Sequence, residues 1–326
     1  MDSVDRALVH ALQLDGRAPF SRIAEVLGVS EQTVARRYRK LRSAGVIRVV
    51  GGVDGSQLGY TSWTIRLRTT PDASGALGAA LARRADTFYV HLLSGGTEIS
   101  CFTQARLEDG ETPLLEKLPR TGKVLAMSAH SLLRGLAIPG GWAGLAWLKE
   151  EQATQLRFAT TQERRVRADA ADHALLDALA TDGRTGYPDL AAATGWSEST
   201  VRRRLDQLRR SGALLIQLEF DPRALGYRVQ ARLWMSVRPS GLVAVAETLA
   251  THPEVSFVGI TTGTTNLMAE VICRDTADLY SYLTEQVSSL HAIQTMETAP
   301  VMRTLKRIAS STNVSAQPST SAAARW

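Results

Sequence analysis

The sequence predicts an α+β protein in which one two-part unit occurs twice: a winged helix-turn-helix followed by a ferredoxin-like βαββαβ domain. Three observations lead to this fold class. The chain aligns with itself over a long stretch without gaps. The first part of each copy has apolar residues at helical spacing, interrupted by glycine turns. The second part has strands whose side chains alternate between apolar and polar.

The internal duplication is the strongest of these observations. Val4–Tyr60 aligns on Ala171–Tyr227, and about two positions in five are identical. Beyond this stretch the similarity fades, but the order of predicted strands and helices persists. Turn residues and basic pairs recur in both copies, which indicates one fold made twice. The shared runs are Asp15-Gly16-Arg17 with Asp182-Gly183-Arg184, Arg36-Arg37 with Arg203-Arg204, and Leu58-Gly59-Tyr60 with Leu225-Gly226-Tyr227.

Breaks in composition divide the chain into six segments. Pro139-Gly140-Gly141 interrupts the structure between the copies, and a polar connector with a short helical patch, Leu148–Leu156, follows it. The last residues are Ser, Thr and Ala, a composition that does not offset the entropy of ordering. The predicted segments are a first and a second HTH domain (1–60 and 171–227), a first and a second ferredoxin-like effector and assembly domain, called sheet domains below (61–138 and 228–308), a linker (139–170) and a disordered tail (309–326).

Composition excludes some classes of protein. With 326 residues, 44% of them hydrophobic, and a formal charge of +6, the chain is globular and mildly basic, which suits a polyanionic partner without requiring one. Cys101 and Cys273 are too far apart for a disulfide framework or a metal site, and they fit a reducing cytoplasm. The acidic start and the lack of an apolar run of about 18 residues predict a soluble, cytoplasmic protein with no membrane partner.

Each HTH domain is predicted to contain three helices. In the first, Val4, Leu8 and Leu12 mark a helix that ends at Asp15-Gly16, where the glycine suits the left-handed cap conformation. Ser21 is expected to cap a second helix, which ends at Gly28. Ser30 is expected to cap a third helix, which buries Val34, Tyr38 and Leu41 and ends at Gly45. The second HTH domain repeats the pattern through Ala174–Leu179, Leu190, Gly195, Ser197, Val201, Leu205, Leu208 and Gly212.

The exposed side of each third helix carries a basic face with a polar first turn. Short polar side chains there suit contacts with base edges, and arginines suit phosphate or guanine, so we expect binding to double-stranded DNA. The alternative is a solvated surface, but that is less expected because the pattern occurs twice. The predicted DNA-binding residues are Ser30, Gln32, Thr33, Arg36, Arg37, Arg39 and Lys40 in the first copy, and Ser197, Ser199, Thr200, Arg202, Arg203, Arg204 and Arg210 in the second.

Each sheet domain begins with an alternating strand, such as the one in which Trp63, Ile65 and Leu67 alternate with Thr64, Arg66 and Arg68. Helices are predicted at Gly75–Arg84 and Leu242–Thr251. Because the helices cover one face of such a sheet, we expect a second sheet to cover the other and homo-oligomers to form through these domains. Glycine-bearing turns between the next two strands are expected to line a small-molecule pocket, where backbone amides hold a carboxylate. The predicted effector-binding residues are Ser94, Gly95, Gly96, Thr97 and Glu98, and Thr262, Gly263, Thr264, Thr265 and Asn266.

These residues resemble the Lrp/AsnC family of bacterial and archaeal regulators. The run from Ser30 to Arg37, followed by Leu41 and Gly45-Val46-Ile47, is similar to that family's recognition helix and its exit into a strand; Leu58-Gly59-Tyr60 is similar to its hinge. The resemblance implies a sequence-specific transcriptional regulator that assembles sheet to sheet and binds a small effector, usually an amino acid. The chain departs from the family in having Glu98 and Asn266 where an aspartate is usual, and in carrying two units, which suggests a fused dimer.

Two alternatives accompany this prediction. The siroheme decarboxylases share the two-part plan, but resemblance to them implies a histidine followed by Arg, Tyr, Asn and Trp-Phe. His91 lies near the right place, while Leu92–Thr103 contains no Arg, Tyr, Asn or Trp. The second alternative is an architectural protein that binds DNA without sequence preference. The six histidines are scattered without metal-ligand spacing, and no phosphate loop or other catalytic constellation stands out, so we predict no enzyme activity, no cofactor and no metal.

Overall fold

The computed structural model describes residues 1–54, 58, 60–106, 122–136, 141–161 and 170–308. The predicted tail at 309–326, the predicted second helix of the first sheet domain, and Pro139 and Gly140 lie outside the described residues. The elements of the first copy and the connector are α1 (Ser3–Leu14), α2 (Phe20–Leu27), α3 (Glu31–Ser43), β1 (Ile47–Val53), β2 (Tyr60–Thr69), α4 (Ser74–Ala82), β3 (Thr87–Leu93), β4 (Glu98–Arg106), β5 (Val124–Leu136) and α5 (Glu150–Leu156).

The second copy has the same order of elements. They are α6 (Ala170–Thr181), α7 (Tyr187–Thr194), α8 (Glu198–Arg210), β6 (Leu214–Phe220), β7 (Val229–Val237), α9 (Leu242–Leu249), β8 (Val255–Thr261), β9 (Leu267–Cys273), α10 (Thr276–Ser281) and β10 (Ile293–Lys306). The three-helix pattern of each HTH domain is therefore confirmed, and so is the strand and helix order of the second sheet domain.

Two details of the HTH prediction are wrong. The second helix begins at Phe20 after Pro19, so Ser21 lies in its first turn and does not cap it. Gly16 does not adopt the left-handed conformation. It lies against the two-stranded sheet instead, where an added Cβ would be 2.7 Å from Ile216 Cγ2 and 2.8 Å from Val49 Cγ1. Close packing therefore requires this glycine, because any side chain would collide with both strands.

The wing strands of the two copies pair with each other. β1 and β6 form an antiparallel two-stranded sheet in which Ile47 lies opposite Phe220 and Val53 lies opposite Leu214. β6 is the counterpart of β1, and the start of each strand lies opposite the end of the other. This pairing is expected for a pseudo-twofold axis between the copies. Backbone hydrogen bonds thus hold the two HTH domains in one arrangement.

The two sheet domains form one closed eight-stranded barrel in the order β10-β3-β4-β2-β5-β8-β9-β7. Each domain contributes four antiparallel strands in the ferredoxin-like order. The fourth strand of each domain then continues along the second strand of the other, through the β5–β8 and β10–β3 ladders. The expectation that one sheet covers the other is confirmed, and the sheets are also joined at their edges.

The barrel wall separates two kinds of core. Alternate residues such as Ile65, Leu67, Leu233 and Met235 face the outer helices and are fully buried. The opposite faces meet inside the barrel, where Trp234 is buried in an aromatic and aliphatic cluster. The predicted alternation is therefore real, but its polar face is only partly exposed: Thr64 is buried, Arg66 is half-buried and Arg68 is exposed.

The connector between the copies packs on both HTH domains. Trp142 stacks on Phe220 with ring centroids 5.3 Å apart and meets Tyr227 edge to face at 4.7 Å. The backbone amide of Leu148 donates to His10 Nδ1 at 2.9 Å. Leu156 is buried in the same core. Part of the segment predicted as a linker, 139–170, thus belongs to the core of the first HTH domain.

Candidate nucleic-acid interface

The recognition helix α3 starts and ends at well-defined residues. Gly28, at φ +66°, ends α2 in the left-handed conformation, and the Ser30 hydroxyl then accepts from the Thr33 amide at 3.1 Å. This cap satisfies an amide that has no partner within the helix. Val34 and Tyr38 are buried beneath the helix, so the remaining sides face outward.

Four of the predicted DNA-binding side chains of α3 are exposed, namely Gln32, Arg36, Arg39 and Lys40. None of the four forms an ion pair within the described part of the chain, and Arg39 donates only to the Ala35 carbonyl of its own helix at 3.3 Å. The polar first turn and the basic side therefore lie on one accessible surface. Their position would allow contacts with base edges and phosphates.

Arg37 is placed differently from its neighbours. Its guanidinium pairs with Asp2 at 2.6 Å and with Asp5 at 2.8 Å, both at the start of α1. Hydrogen bonding to these carboxylates raises the pKa of Arg37, and the Asp5 amide together with Arg37 lowers the pKa of Asp2. Arg37 thus fastens α3 to α1 and is not presented to solvent in the way that Arg36 is.

The second copy repeats this contact in a more buried form. Arg204 donates to Asp172 through Nε at 2.7 Å and Nη2 at 2.5 Å, and the Asp172 side chain is 0% exposed. Both arginines were predicted from sequence to bind DNA, and their acidic partners were not predicted. The signal was present, because Asp5 and Asp172 occupy the same position in the two copies, as Arg37 and Arg204 do.

The basic face of α8 is more engaged than that of α3. The Ser197 hydroxyl caps the helix and lies 2.9 Å from the hydroxyls of both Ser199 and Thr200. Arg202 lies over the Tyr187 ring at 4.4 Å, and Arg210 pairs with Asp206 at 2.7 Å. Among its predicted DNA-binding arginines, Arg203 is exposed, and the structure describes no ion pair or ring contact for it.

The two HTH domains contact each other through the repeated Asp-Gly-Arg run. Arg17 donates to the carbonyls of Gly183 and Thr185 at 2.8 and 3.0 Å, and Arg184 donates to those of Gly16 and Ala18 at 2.6 and 3.1 Å. Burial lowers the pKa of both guanidinium groups. This run, interpreted from sequence as a turn, is the interface between the copies.

Two ion pairs complete the same interface. Arg42 pairs with Asp182 at 2.8 Å, and Arg209 pairs with Asp15 at 2.6 Å. They are counterparts in the two copies. The first is largely exposed, whereas the side chains of the second are 11% and 9% exposed. Together with the β1–β6 ladder, these contacts fix the separation and orientation of α3 and α8.

The predicted effector turns lie where one sheet domain meets the other. Thr262 exchanges two hydrogen bonds of 2.9 Å with the Ser131 backbone on β5, and Gly263, at φ +98°, packs directly on the His130 ring. The Asn266 amide donates to and accepts from the Val237 backbone at 2.8 Å. This side chain therefore holds the turn in place.

The other turn has its own internal partners. The Glu98 side chain is 6% exposed and forms an ion pair with Arg66, which also pairs with Glu297. Ser94, Gly95 and Gly96 all adopt positive φ angles, and the Thr97 hydroxyl donates to the Ser94 carbonyl at 2.9 Å. That these turns bind an effector stays a prediction.

Within the described ranges, no helix is both long and apolar enough to span a bilayer. The same residues contain no group of three or more His, Cys, Asp or Glu side chains placed to hold a metal ion.

Comparison with known proteins identifies the units. The AsnC-type helix-turn-helix domain matches residues 1–42 and 169–209, and the Lrp/AsnC ligand binding domain matches residues 230–310. An HTH-type transcriptional regulator of Pyrococcus abyssi is 32% identical over 137 residues, which cover 42% of this chain and 87% of that protein. The regulatory protein AsnC of Escherichia coli is 30% identical over 149 residues, 42% of this chain and 95% of AsnC.

Among solved structures, the siroheme decarboxylase NirDL is similar over 94% of this chain and 93% of that chain, with a TM-score of 0.62 and 15% sequence identity. At this identity the likeness shows a shared duplicated fold. The family's helix-turn-helix domain matches both copies, and its ligand binding domain matches the second. The two regulators are also covered over most of their own length. The chain belongs to the Lrp/AsnC family of transcriptional regulators.

Proposed function

We propose that the two HTH domains bind a double-stranded operator as a fixed pair, with α3 and α8 in major grooves on one side of the DNA. The observation that carries this proposal is the division of labour on α3. Arg37 forms ion pairs with Asp2 and Asp5. The polar first turn and the cations Arg36, Arg39 and Lys40 are exposed on one surface.

The proposed roles differ along the helix. Gln32 and Arg36, on the first two turns, are placed to contact base edges, with Ser30 and Thr33 shaping that turn. Arg39 and Lys40 are placed for phosphates. In the second copy Arg203 takes the position of Arg36, with Ser199 and Thr200 in the first turn beside Ser197. Arg37 and Arg204, predicted from sequence to touch DNA, are proposed here as positioning residues.

The fixed pairing leads to a direct test. A half-site selected from random DNA should recur with a spacing of about one helical turn, roughly 34–36 Å, or a multiple of it. Inserting five base pairs between the half-sites should weaken binding sharply in a gel-shift assay, and inserting ten should weaken it as well, because two helices at a fixed separation cannot follow half-sites that lie roughly 34 Å further apart. Equal binding to all three fragments would favour a non-specific architectural protein and contradict the proposal.

Substitutions separate specific from general contacts. Gln32→Ala should weaken binding to the selected site more than binding to unrelated DNA, whereas Lys40→Ala should weaken both and reduce the salt slope by about one. The same loss for both variants on both kinds of DNA would indicate phosphate contacts alone.

We further propose that a small effector of the amino-acid class modulates binding, and that the chain assembles into homo-oligomers through its sheet domains. The match of residues 230–310 to the family's ligand binding domain supports the first part. A thermal-shift screen of amino acids should reveal at least one stabiliser. Substitution of Thr264, an exposed residue of the turn, should remove its effect while leaving the barrel folded.

We propose that the chain is a regulator and not a decarboxylase. His91 is 1% exposed and hydrogen-bonds Thr304 at 3.1 Å inside the barrel, and the matching strand position in the second copy is Gly259. Incubation with siroheme, followed by mass spectrometry, should return the substrate unchanged. A product that has lost carboxyl groups would contradict this part of the proposal.

A further inference from the structure

A cleft of about 270 Å³ lies at the junction of three parts of the molecule. Gly45, at the end of the first recognition helix, forms one side. The hinge from Asp221 to Tyr227 forms another, and the ends of β7 and β10 complete it. This volume is just under the range of about 300–1,000 Å³ that is typical of small-molecule sites.

The charge of the cleft is strongly one-sided. Four arginines line it, Arg223, Arg228, Arg303 and Arg307, against one carboxylate, Asp221. Asp221 accepts from the Arg223 backbone amide at 3.1 Å, which holds the hinge turn. Within the described part of the chain, none of the four guanidinium groups forms a hydrogen bond or an ion pair. Four like charges facing one concave surface repel each other, and an anion would relieve that repulsion.

The floor of the cleft leads into the barrel. Gln230 donates to Glu270, and Thr304 lies 3.1 Å from His91 Nδ1. Glu270 in turn pairs with Arg232 at 2.9 Å, and the Arg232 side chain is 1% exposed. The side chains that a ligand would touch are therefore hydrogen-bonded to a buried polar cluster.

We infer that this cleft binds a small metabolite with two or more negative charges, in the form of carboxylate or phosphate groups. Guanidinium groups recognise both through paired hydrogen bonds. The site is separate from the turns Ser94–Glu98 and Thr262–Asn266. Because its walls come from the first HTH domain, the hinge and the barrel, an occupant would join the DNA-binding part of the molecule to the barrel. That regulatory consequence rests on the proposed function; the binding itself does not.

The first copy provides a matched comparison for this site. In the gapless alignment Ser56 stands at the position of Arg223, and Thr61, directly after that alignment, corresponds to Arg228. Arg223 and Arg228 are thus a property of the second copy and not of the shared fold. Arg223→Ser with Arg228→Thr gives the second hinge the residues of the first.

The test is isothermal titration of the full chain, without DNA, with citrate and with pyrophosphate at constant ionic strength. Acetate at the same ionic strength serves as the monovalent control. At least one polyanion should bind with one site per chain, and the double variant should weaken that binding at least tenfold. A preference for citrate or for pyrophosphate distinguishes a carboxylate from a phosphate ligand.

A control variant removes charge elsewhere. Arg274 is exposed in the same sheet domain and does not line the cleft, so Arg274→Thr should leave affinity within twofold of the original chain. Circular dichroism should show both variants folded, because all three positions are exposed. Equal affinity of the two variants, or no binding of either polyanion, would overturn the inference. If the double variant instead loses only DNA affinity, the arginines contact DNA phosphates and the inference is also overturned.

Discussion

The two HTH domains share one fold but use their arginines differently. The first leaves Arg36, Arg39 and Lys40 exposed on its recognition helix. In the second, the positions of Arg39 and Lys40 hold Asp206 and Gln207, and Asp206 pairs with Arg210. The shared fold preserves the internal contacts, such as Arg37 with Asp5 and Arg204 with Asp172, while the surface charge diverges. If both HTH domains bind DNA as proposed, the first copy is therefore suited to supply most of the electrostatic affinity for DNA, and the second to fix the orientation of the protein on it.

The largest expected difference between the copies is in stability. Arg204→Ala would remove the ion pair of the fully buried Asp172 carboxylate, which should cost about 3–5 kcal/mol in the free energy of unfolding of the second HTH domain. Arg37→Ala should cost less, because Asp2 and part of the Arg37 side chain are in contact with water. Hydrogen exchange of the α6 and α1 amides would measure the two losses separately. Equal protection in both variants would show that burial does not distinguish the two anchors.

The interface between the HTH domains offers a second comparison. Arg209→Ala removes a charged hydrogen bond to a nearly buried Asp15 and should cost about 1.5–3 kcal/mol in thermal or urea unfolding. Its counterpart Arg42→Ala removes an exposed pair and should cost about 0.2–1 kcal/mol. The Arg209 guanidinium carbon also lies 3.6 Å from the centre of the Phe158 ring. Similar losses of stability for both variants would mean that neither this packing nor the burial of the Arg209–Asp15 pair strengthens the contact.

DNA affinity should divide unequally between the copies. Arg36→Ala should cost about 1–3 kcal/mol on the selected site, and Arg203→Ala should cost less because the neighbouring Arg210 is ion-paired with Asp206. The converse change sharpens this comparison. Asp206→Arg with Gln207→Lys gives these two positions of α8 the charges of Arg39 and Lys40, and it should tighten binding and steepen the salt dependence. Unchanged affinity in that variant would place the second HTH domain away from the DNA.

The last comparison concerns the barrel. Burial, with the charges of Arg232 and Arg307, holds the pKa of His91 well below its usual value, whereas the second copy has Gly259 there. His91 then takes up a proton in the unfolded chain below about pH 6.5 but not in the folded one. Its contribution to stability is therefore complete above pH 6.5 and is lost as the pH falls.

The slope is at most about 1.4 kcal/mol per pH unit for one proton. His91→Gln should flatten the decline of unfolding free energy between pH 6.5 and 5 by up to that amount. Burial also lowers the pKa values of His10 and His252, so a smaller slope of the same sign should remain. An unchanged slope in the variant would mean that His91 is protonated in the folded barrel.

Local features were predictable from sequence, and contacts between the copies were not. Apolar spacing and glycine stops predicted α1, α2 and α3 within a few residues, because these signals act within one or two helical turns. The role of Asp15 and Arg17 depends on a partner more than 160 residues away, which no local pattern encodes. Repetition of the run in both copies was the available signal, and it was interpreted as a turn.

The sheet domains show the same limit. Alternation in β2 and β7 predicted two-faced strands and a covering sheet. It did not predict that β10 would pair with both β3 and β7, because strand order depends on how the two halves meet. Asn266 was predicted as an effector residue from its place in a glycine turn. Only the structure shows that its amide is used to hold the Val237 backbone.

The closing strand of the barrel has a consequence for synthesis. β3 is made early, yet its partner β10 emerges roughly two hundred residues later, as the pairing of Leu93 with Val301 shows. At about 5–20 residues per second, β3 waits on the ribosome for about 10–40 s with one edge unpaired. During that interval the unpaired backbone N–H and C=O groups of β3 can form hydrogen bonds with neighbouring polypeptides. The fused arrangement therefore makes the yield of folded protein depend on translation speed and chaperone supply, a dependence that separately made single units would not share.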